Sequence, residues 1–198
     1  EFKDLCSFEL EGLGRFFEHS EYVTEQEFLQ YTEFLTRNGA IRSWEWIPAI
    51  SESQRLDFER TIRKRGRADF TIWERDAEGS RIAARRRDEY YPILYLTPPR
   101  SNDTSVGYDQ GSEATRRTAL AEAASSGLIT GTGPLTLVQE TGNEMGVLMY
   151  RPVYRGTGPK RLRGFVRAAL RMETMLKRTA GRKTSLTIAP VAVELLEV

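Results

Sequence analysis

The chain has 198 residues, 39% hydrophobic and 29% charged, which is enough for one domain or two small ones around a buried core. With a mean hydropathy of -0.49 and no run of about 18 apolar residues, the sequence holds no bilayer-spanning helix, and it is not the composition of a disordered tail. A net charge of +1 hides an asymmetry: residues 1–150 carry 18 Lys+Arg against 25 Asp+Glu, and residues 151–198 carry 11 against 3.

A basic C-terminal quarter suits nucleic acid or a membrane surface. Its arginines, however, alternate with apolar residues, as in Leu162-Arg163-Gly164-Phe165-Val166-Arg167, the pattern of a strand with one wet face. No helix-turn-helix or RNA-binding signature accompanies the charge, so nucleic acid is not expected as a partner. No signal-peptide pattern opens the chain, which reads as mature, excised or cytosolic. The single cysteine, Cys6, excludes an internal disulfide. The single histidine, His19, excludes a zinc site that needs several histidines, argues against a histidine-based triad, and reads as a solvated helix-end residue.

In chain order, Leu10, Leu13 and Phe17 give residues 2–18 a helical stripe, and Phe28, Tyr31 and Leu35 give the next segment another. The second helix starts at a capping box, Thr24-Glu25-Gln26-Glu27, and is expected to stop at Asn38-Gly39. Residues 1–37 therefore suggest a helical stalk, whose stripes either pair with a second copy or pack on their own domain. Ile41–Trp46 alternates as a strand, with Trp44 and Trp46 on one face and Pro48 closing it. Ser51 caps a helix running to Arg65, and Gly66 stops it. Phe70–Trp73 and Ile82–Ala84 flank a turn at Ala77-Glu78-Gly79. Tyr91–Leu96, apolar throughout, reads as a central strand, followed by a loop over residues 97–103.

A helix capped by Ser112 then carries Leu120, Ala123 and Ala124 inward and ends at Gly127. Strands at Leu135–Gln139 and Gly146–Tyr154 form a hairpin across Thr141-Gly142-Asn143. Gly156-Thr157-Gly158-Pro159 is the best linker. Beyond it lie a strand (Leu162–Leu170), a helix around Met172–Thr179 and a strand at Ser185–Ile188. This order is α+β with antiparallel sheet, and it matches a PAS-like sensor. The expected division is a stalk (1–37), a PAS-like subdomain (38–154) and a smaller sheet subdomain (155–198).

Catalysis has little support. Gly131-Thr132-Gly133 is followed by no lysine, so no phosphate loop forms. Asp88 and Glu89, adjacent on a strand, face opposite ways. No cofactor or metal is expected. Binding has more support: Trp44, Trp46, Tyr90, Tyr91, Tyr95, Tyr108 and Tyr150, with one acidic residue, Asp109, beside Tyr108, suit a flat heteroaromatic ligand with hydrogen-bond donors. Two readings of Asp109 stay open, a ligand carboxylate and a helix cap.

Several segments in register carry a resemblance: Trp46-Ile47-Pro48, Arg55 with Phe58-Glu59, Arg87–Ile93, Gly107-Tyr108-Asp109, Gly127 with Pro134, and Arg151-Pro152-Val153-Tyr154. Over residues 24–170 the chain resembles the CHASE domain, the extracytoplasmic sensor of plant cytokinin receptors and many bacterial membrane signalling proteins. The resemblance implies a stalk helix, a membrane-distal PAS-like subdomain holding ligand and a membrane-proximal one. It also implies a periplasmic location, flanking transmembrane helices, a homodimeric receptor, and a histidine kinase or cyclic-nucleotide output in the parent.

Under the resemblance, Asp109 falls where cytokinin receptors bind adenine, and the main chain of Thr130-Gly131-Thr132 supplies a second polar contact. The Tyr90–Tyr95 segment, including Tyr91 and Ile93, would floor the cleft with Trp46. Leu148 and Tyr150 would close a side. Tyr108 and Tyr150 are bulkier than the residues plant receptors carry there, so an adenine-type cytokinin fits less readily than some other small ligand. The alternative to a ligand sensor is a ligand-independent dimerisation module built on residues 1–37.

Overall fold

The computed structural model of the chain describes residues 6–37, 39–99, 104–137, 145–155 and 161–173. Its helices are α1 (Ser7–His19), α2 (Glu25–Thr32), α3 (Glu52–Lys64) and α4 (Ala114–Ser126). Its strands are β1 (Ile41–Pro48), β2 (Ile50–Ser51), β3 (Trp73–Arg75), β4 (Arg81–Ala83), β5 (Glu89–Tyr90), β6 (Tyr95–Thr97), β7 (Thr130–Gly131), β8 (Leu135–Thr136), β9 (Met145–Arg155) and β10 (Arg161–Arg171). The main sheet runs β6-β1-β10-β9-β7, with β8 also on β9, and every pairing in it is antiparallel. The α+β class with antiparallel sheet expected from the sequence is the class the chain adopts.

Both faces of this sheet are covered, which is why every residue of β1 is buried instead of alternating with solvent. On one face, Leu10, Leu13 and Phe17 of α1 and Phe28 of α2 pack with Trp44, Trp46, Met149, Val166 and Ala168. On the other, Ala119, Leu120 and Ala123 of α4 pack with Ile47, Leu148, Tyr150, Phe165 and Ala169. The stripes of α1 and α2 are thus spent on their own domain, the second of the two options left open by the sequence. The Phe17 ring stacks on Trp46 with centroids 4.0 Å apart. His19 is the exposed last residue of α1, as expected.

β10 lies between β1 and β9, from Pro48↔Gly164 to Ile41↔Leu170 on one side and from Arg155↔Arg161 to Gly146↔Arg171 on the other. The expected boundary at residue 154 therefore falls inside one sheet: the strand assigned to a second subdomain completes the first. Close contact explains the placement. Gly164, at φ 152°, sits where a Cβ would lie 2.3 Å from the Ile47 carbonyl oxygen, so only glycine lets the chain enter against β1. The expected helix and strand at 172–188 fall almost entirely outside the described residues, as do Asn38 and the 141–143 turn.

Local signals fared unevenly. The capping box is present, with Thr24 N–H donating to Glu27 at 2.7 Å and Glu27 N–H to the Thr24 hydroxyl at 3.2 Å. Helix α2 nonetheless ends at Thr32, and a 3-10 turn over Phe34–Arg37 follows. Gly127 closes α4 in the left-handed region at φ 71°. Its start is different: Glu113, not Ser112, accepts from Thr115 N and Arg116 N, while Ser112 donates to the Asp109 carbonyl. Tyr91–Leu96 is not a central strand. Only Tyr95–Thr97 pairs, at the sheet edge beside β1, and Ile93 instead exchanges backbone bonds with Gly107 and Tyr108. Its apolar character comes from burial under both faces, with Pro92 unable to donate to a ladder.

Candidate functional site

The sheet separates the expected ligand residues. Trp46 and Tyr95 belong to the core on the α1 side, and Tyr90 extends the same cluster from β5, outside the main sheet. Ile93, Tyr108, Leu148 and Tyr150 belong to the core on the α4 side, with Tyr91 packed against it. Trp46 and Tyr95, opposite each other on β1 and β6, do not share a cleft with Leu148 and Tyr150, because the β1–β10–β9 layer lies between them. These three aromatics also have structural partners. Tyr90 receives Arg55 and donates to Glu52, Tyr95 donates to the Val23 carbonyl at 3.3 Å, and Trp46 stacks on Phe17.

Asp109 is fully buried, and its carboxylate is already occupied. Oδ1 accepts from Tyr91 N at 2.8 Å and from Gly111 N at 3.0 Å, and Oδ2 pairs with Arg87, which also reaches Glu74. Burial raises its pKa, against the pull of the Tyr91 N–H and Arg87. The side chain thus caps the 3-10 turn Gln110–Ser112 and ties it to residue 91. Gly131 and Thr132 are engaged in the same way by β9. Gly131 pairs with Met149, Thr132 N donates to the Leu148 carbonyl at 2.9 Å, and the Thr132 hydroxyl accepts from Leu148 N at 3.1 Å.

What the sequence did not single out is a polar cluster buried on the α4 side. Glu45, fully buried, pairs with Arg167, which is 3% exposed. Gln110, also fully buried, accepts on Oε1 from both Arg167 and the Tyr150 hydroxyl, the latter at 2.9 Å. Burial works against the Arg167 charge, and Glu45 and Tyr150 more than offset it. Burial likewise holds the Tyr150 hydroxyl protonated, with Arg167 and Arg116 close enough to oppose it. Arg116, 5% exposed, lies with its guanidinium 5.7 Å from the Tyr108 ring centre, donating to Thr136 O at 3.0 Å and Glu113 at 3.2 Å.

Three donors of this cluster, Gln110 Nε2, Arg167 Nε and Arg116 Nε, are buried and have no acceptor among the described residues. Native interiors leave few such groups. The strand was legible in the sequence, but its arginines were read as a wet face. Arg167 is the correction, because α4 and the 108–110 segment cover that face. The signal was faint: Glu45 sits between two tryptophans in a strand whose alternation makes it face away from them.

A cleft of about 480 Å³ adjoins the cluster, lined by Arg75, Asp76, Tyr108, Ser112, Glu113, Arg116, Thr136 and Leu137. Tyr108 and Arg116 belong to both. The cleft thus brings a solvent-facing opening at the start of α4 against Arg116, whose buried Nε has no acceptor among the described residues, while Gln110, Arg167 and Tyr150 lie outside its lining. A concave opening beside a buried charge is the kind of place a small molecule occupies.

The family model described as the CHASE domain matches residues 21–195. No curated protein matches the sequence. Among solved structures, the ligand-binding domain of the Pseudomonas aeruginosa PAO1 amino acid chemoreceptor PctC, in complex with GABA, is similar at 15% identity and a TM-score of 0.47. That likeness covers 85% of this chain, which spans 54% of the chemoreceptor chain.

Proposed function

The chain belongs to the CHASE domain family, a family of extracytoplasmic sensors, and from that premise we propose that it is the periplasmic ligand-binding part of a transmembrane receptor. In this reading a small molecule enters beside Tyr108 and Arg116, backed by Gln110, Arg167 and Tyr150 and by the apolar Ile93 and Leu148. Asp109 is a positioning residue that holds the 108–110 segment over the sheet. The observation that carries the reading is an open cleft that reaches Arg116, a buried guanidinium whose Nε has no acceptor among the described residues. An adenine-type cytokinin would need Asp109 to give up Arg87 or a backbone N–H, which makes other small ligands the better candidates. The rest follows from family kinship: flanking membrane helices, a homodimeric parent, and a histidine kinase or cyclic-nucleotide output. No helix among the described residues is long and apolar enough to cross a membrane.

The test is thermal denaturation of the chain against a panel of metabolites that includes adenine-type cytokinins. Ligand at a hundred times its Kd adds about 2.7 kcal/mol, a rise of roughly 5–11 °C for a chain of this size. A shift of that order, lost in Arg116→Gln, supports the reading. A flat panel removes it and returns the alternative of a dimerisation module, which would have to use a surface other than the buried α1 stripe.

A further inference from the structure

We infer that the cleft at the start of α4 takes a neutral polyhydroxylated molecule, a sugar or cyclic polyol, an inference that rests on the ligand-binding reading above. Apart from Tyr108 and Leu137, every residue lining the cleft is polar or charged. The Tyr108 ring is itself engaged, its centre 4.9 Å from that of Trp73 and the Arg116 guanidinium over it. An apolar or aromatic guest would therefore take water from polar groups and give them no hydrogen bond in exchange.

Charge favours no ion. The lining sets Arg75 and Arg116 against Asp76 and Glu113. Around it, Arg85, Arg87 and Arg167 pair with Glu74, Asp109 and Glu45. The signs are also interleaved, since Arg116 donates to Glu113 at 3.2 Å and Arg75 precedes Asp76 in the chain. Either pole of a zwitterion would meet both signs. What the lining offers instead is donors and acceptors side by side. Arg116 Nε, in a residue 5% exposed, is a donor with no acceptor among the described residues. Asp76 uses Oδ1 for Glu78 N and Ser80 N, which leaves Oδ2 to accept from a guest. Ser112 spends its proton on the Asp109 carbonyl, which leaves its oxygen an acceptor. A hydroxyl both gives and takes a hydrogen bond at one atom, whereas an amide divides the two between separate atoms. Neighbouring hydroxyls on a ring therefore match a lining in which donors and acceptors are mixed.

The experiment is calorimetric titration of the 198-residue chain with glucose, galactose, ribose and inositol. Each is set against an anionic and an aminated relative, as glucose against glucuronate and glucosamine, with acetamide and urea as amide controls. The expected result is that at least one neutral polyol binds and that its charged relatives bind at least tenfold more weakly. Asp76→Asn keeps Oδ1 for the turn at residues 78–80 and replaces the remaining acceptor by a donor. Arg116→Lys keeps the positive charge beside Glu113 and deletes Nε. Each should weaken the polyol at least tenfold, and Asp76→Asn should do so with circular dichroism and the melting curve near wild type. Charged relatives or amides that bind as tightly as the polyols would overturn the inference and leave the sensor reading standing. A polyol whose affinity survives Asp76→Asn unchanged would bind elsewhere and would overturn it too. Silence from every polyol, while another metabolite raises the melting temperature, would remove the polyol class alone. Silence from all of them would sink the inference together with the ligand reading, leaving ordered water as the partner of Arg116.

Discussion

Arg167 keeps its charge in the core because Glu45 and Gln110 surround it, and this makes it fragile to change on one side only. Arg167→Met leaves the Glu45 carboxylate buried without that guanidinium and is expected to lower stability by about 3–5 kcal/mol, read by urea unfolding. Replacing Glu45 by Met as well should recover part of the loss, since two apolar residues no longer strand a charge. Recovery of nothing would show that the loss was packing, not charge. Asp109→Ala is expected to cost about 2–4 kcal/mol for the same kind of reason: Tyr91 N, Gly111 N and Arg87 lose an acceptor together. A variant as stable as wild type would mean that the carboxylate is free for ligand after all. Residue identity was readable here, and residue environment was not. The sequence shows arginine alternating with apolar residues in β10, which is equally the pattern of a wet face and of a face covered by α4 some fifty positions earlier. Asp109 stood beside a helix start, so a capping role was legible, but the capped element is the 3-10 turn and not α4.

Helix α1 is held to β9 by a clamp that explains Gly14. Arg151 bonds Glu11 at 3.2 Å and also Glu18, crossing the helix at Gly14, where a Cβ would come within 2.4 Å of the Arg151 Cδ. At Gly12 the nearest atom to a Cβ is the Tyr31 hydroxyl oxygen at 3.2 Å. Gly14→Ala therefore loses about 1–3 kcal/mol by displacing the guanidinium, despite the gain of roughly 1 kcal/mol in helix propensity. Gly12→Ala is expected to be milder, and equal melting temperatures for the two variants would refute the clamp as the cause. The clamp also predicts a pH response. The hydrogen bond from Arg151, with help from Arg15, holds the Glu11 carboxyl below its ordinary 4.5. A lowered folded value means stability present above about pH 4.5 and lost as the pH falls through the folded value. Glu11→Gln should be less stable than wild type at pH 7 and converge with it below pH 4.5. Parallel curves down to pH 3 would rule the contribution out. The helices themselves were legible from apolar spacing and the Thr24 capping box, both local features. What they pack on was not, because the partners are spread over β1, β6, β9 and β10, the last two at the far end of the chain.

For a sensor the two faces of the sheet must be able to communicate, and β9 is the strand that joins them. Tyr150 turns to the α4 side and its hydroxyl binds Gln110, while the next residue, Arg151, turns to the other side and grips α1. Alternation makes adjacent residues face opposite ways at no extra cost, so one stretch of backbone carries a ligand-side contact and a helix-side contact. β10 backs both positions, with Tyr150 opposite Arg167 and Arg151 opposite Val166. A ligand moves the output only as far as it prefers one conformer of this layer, and a shift of β9 that accommodates a guest at Gln110 would alter the reach of Arg151 to Glu11 and Glu18. The prediction is a coupling energy. In a double-mutant cycle, Tyr150→Phe removes the hydroxyl on one face and Arg151→Met the clamp on the other. Sites that do not interact add within about 0.3–0.5 kcal/mol. The two changes should depart from additivity by more than that, and the departure should grow when the chain is saturated with a ligand that raises its melting temperature. Strict additivity in both states would mean that the faces are independent and that the signal leaves the site by another element, with α4 the next to examine.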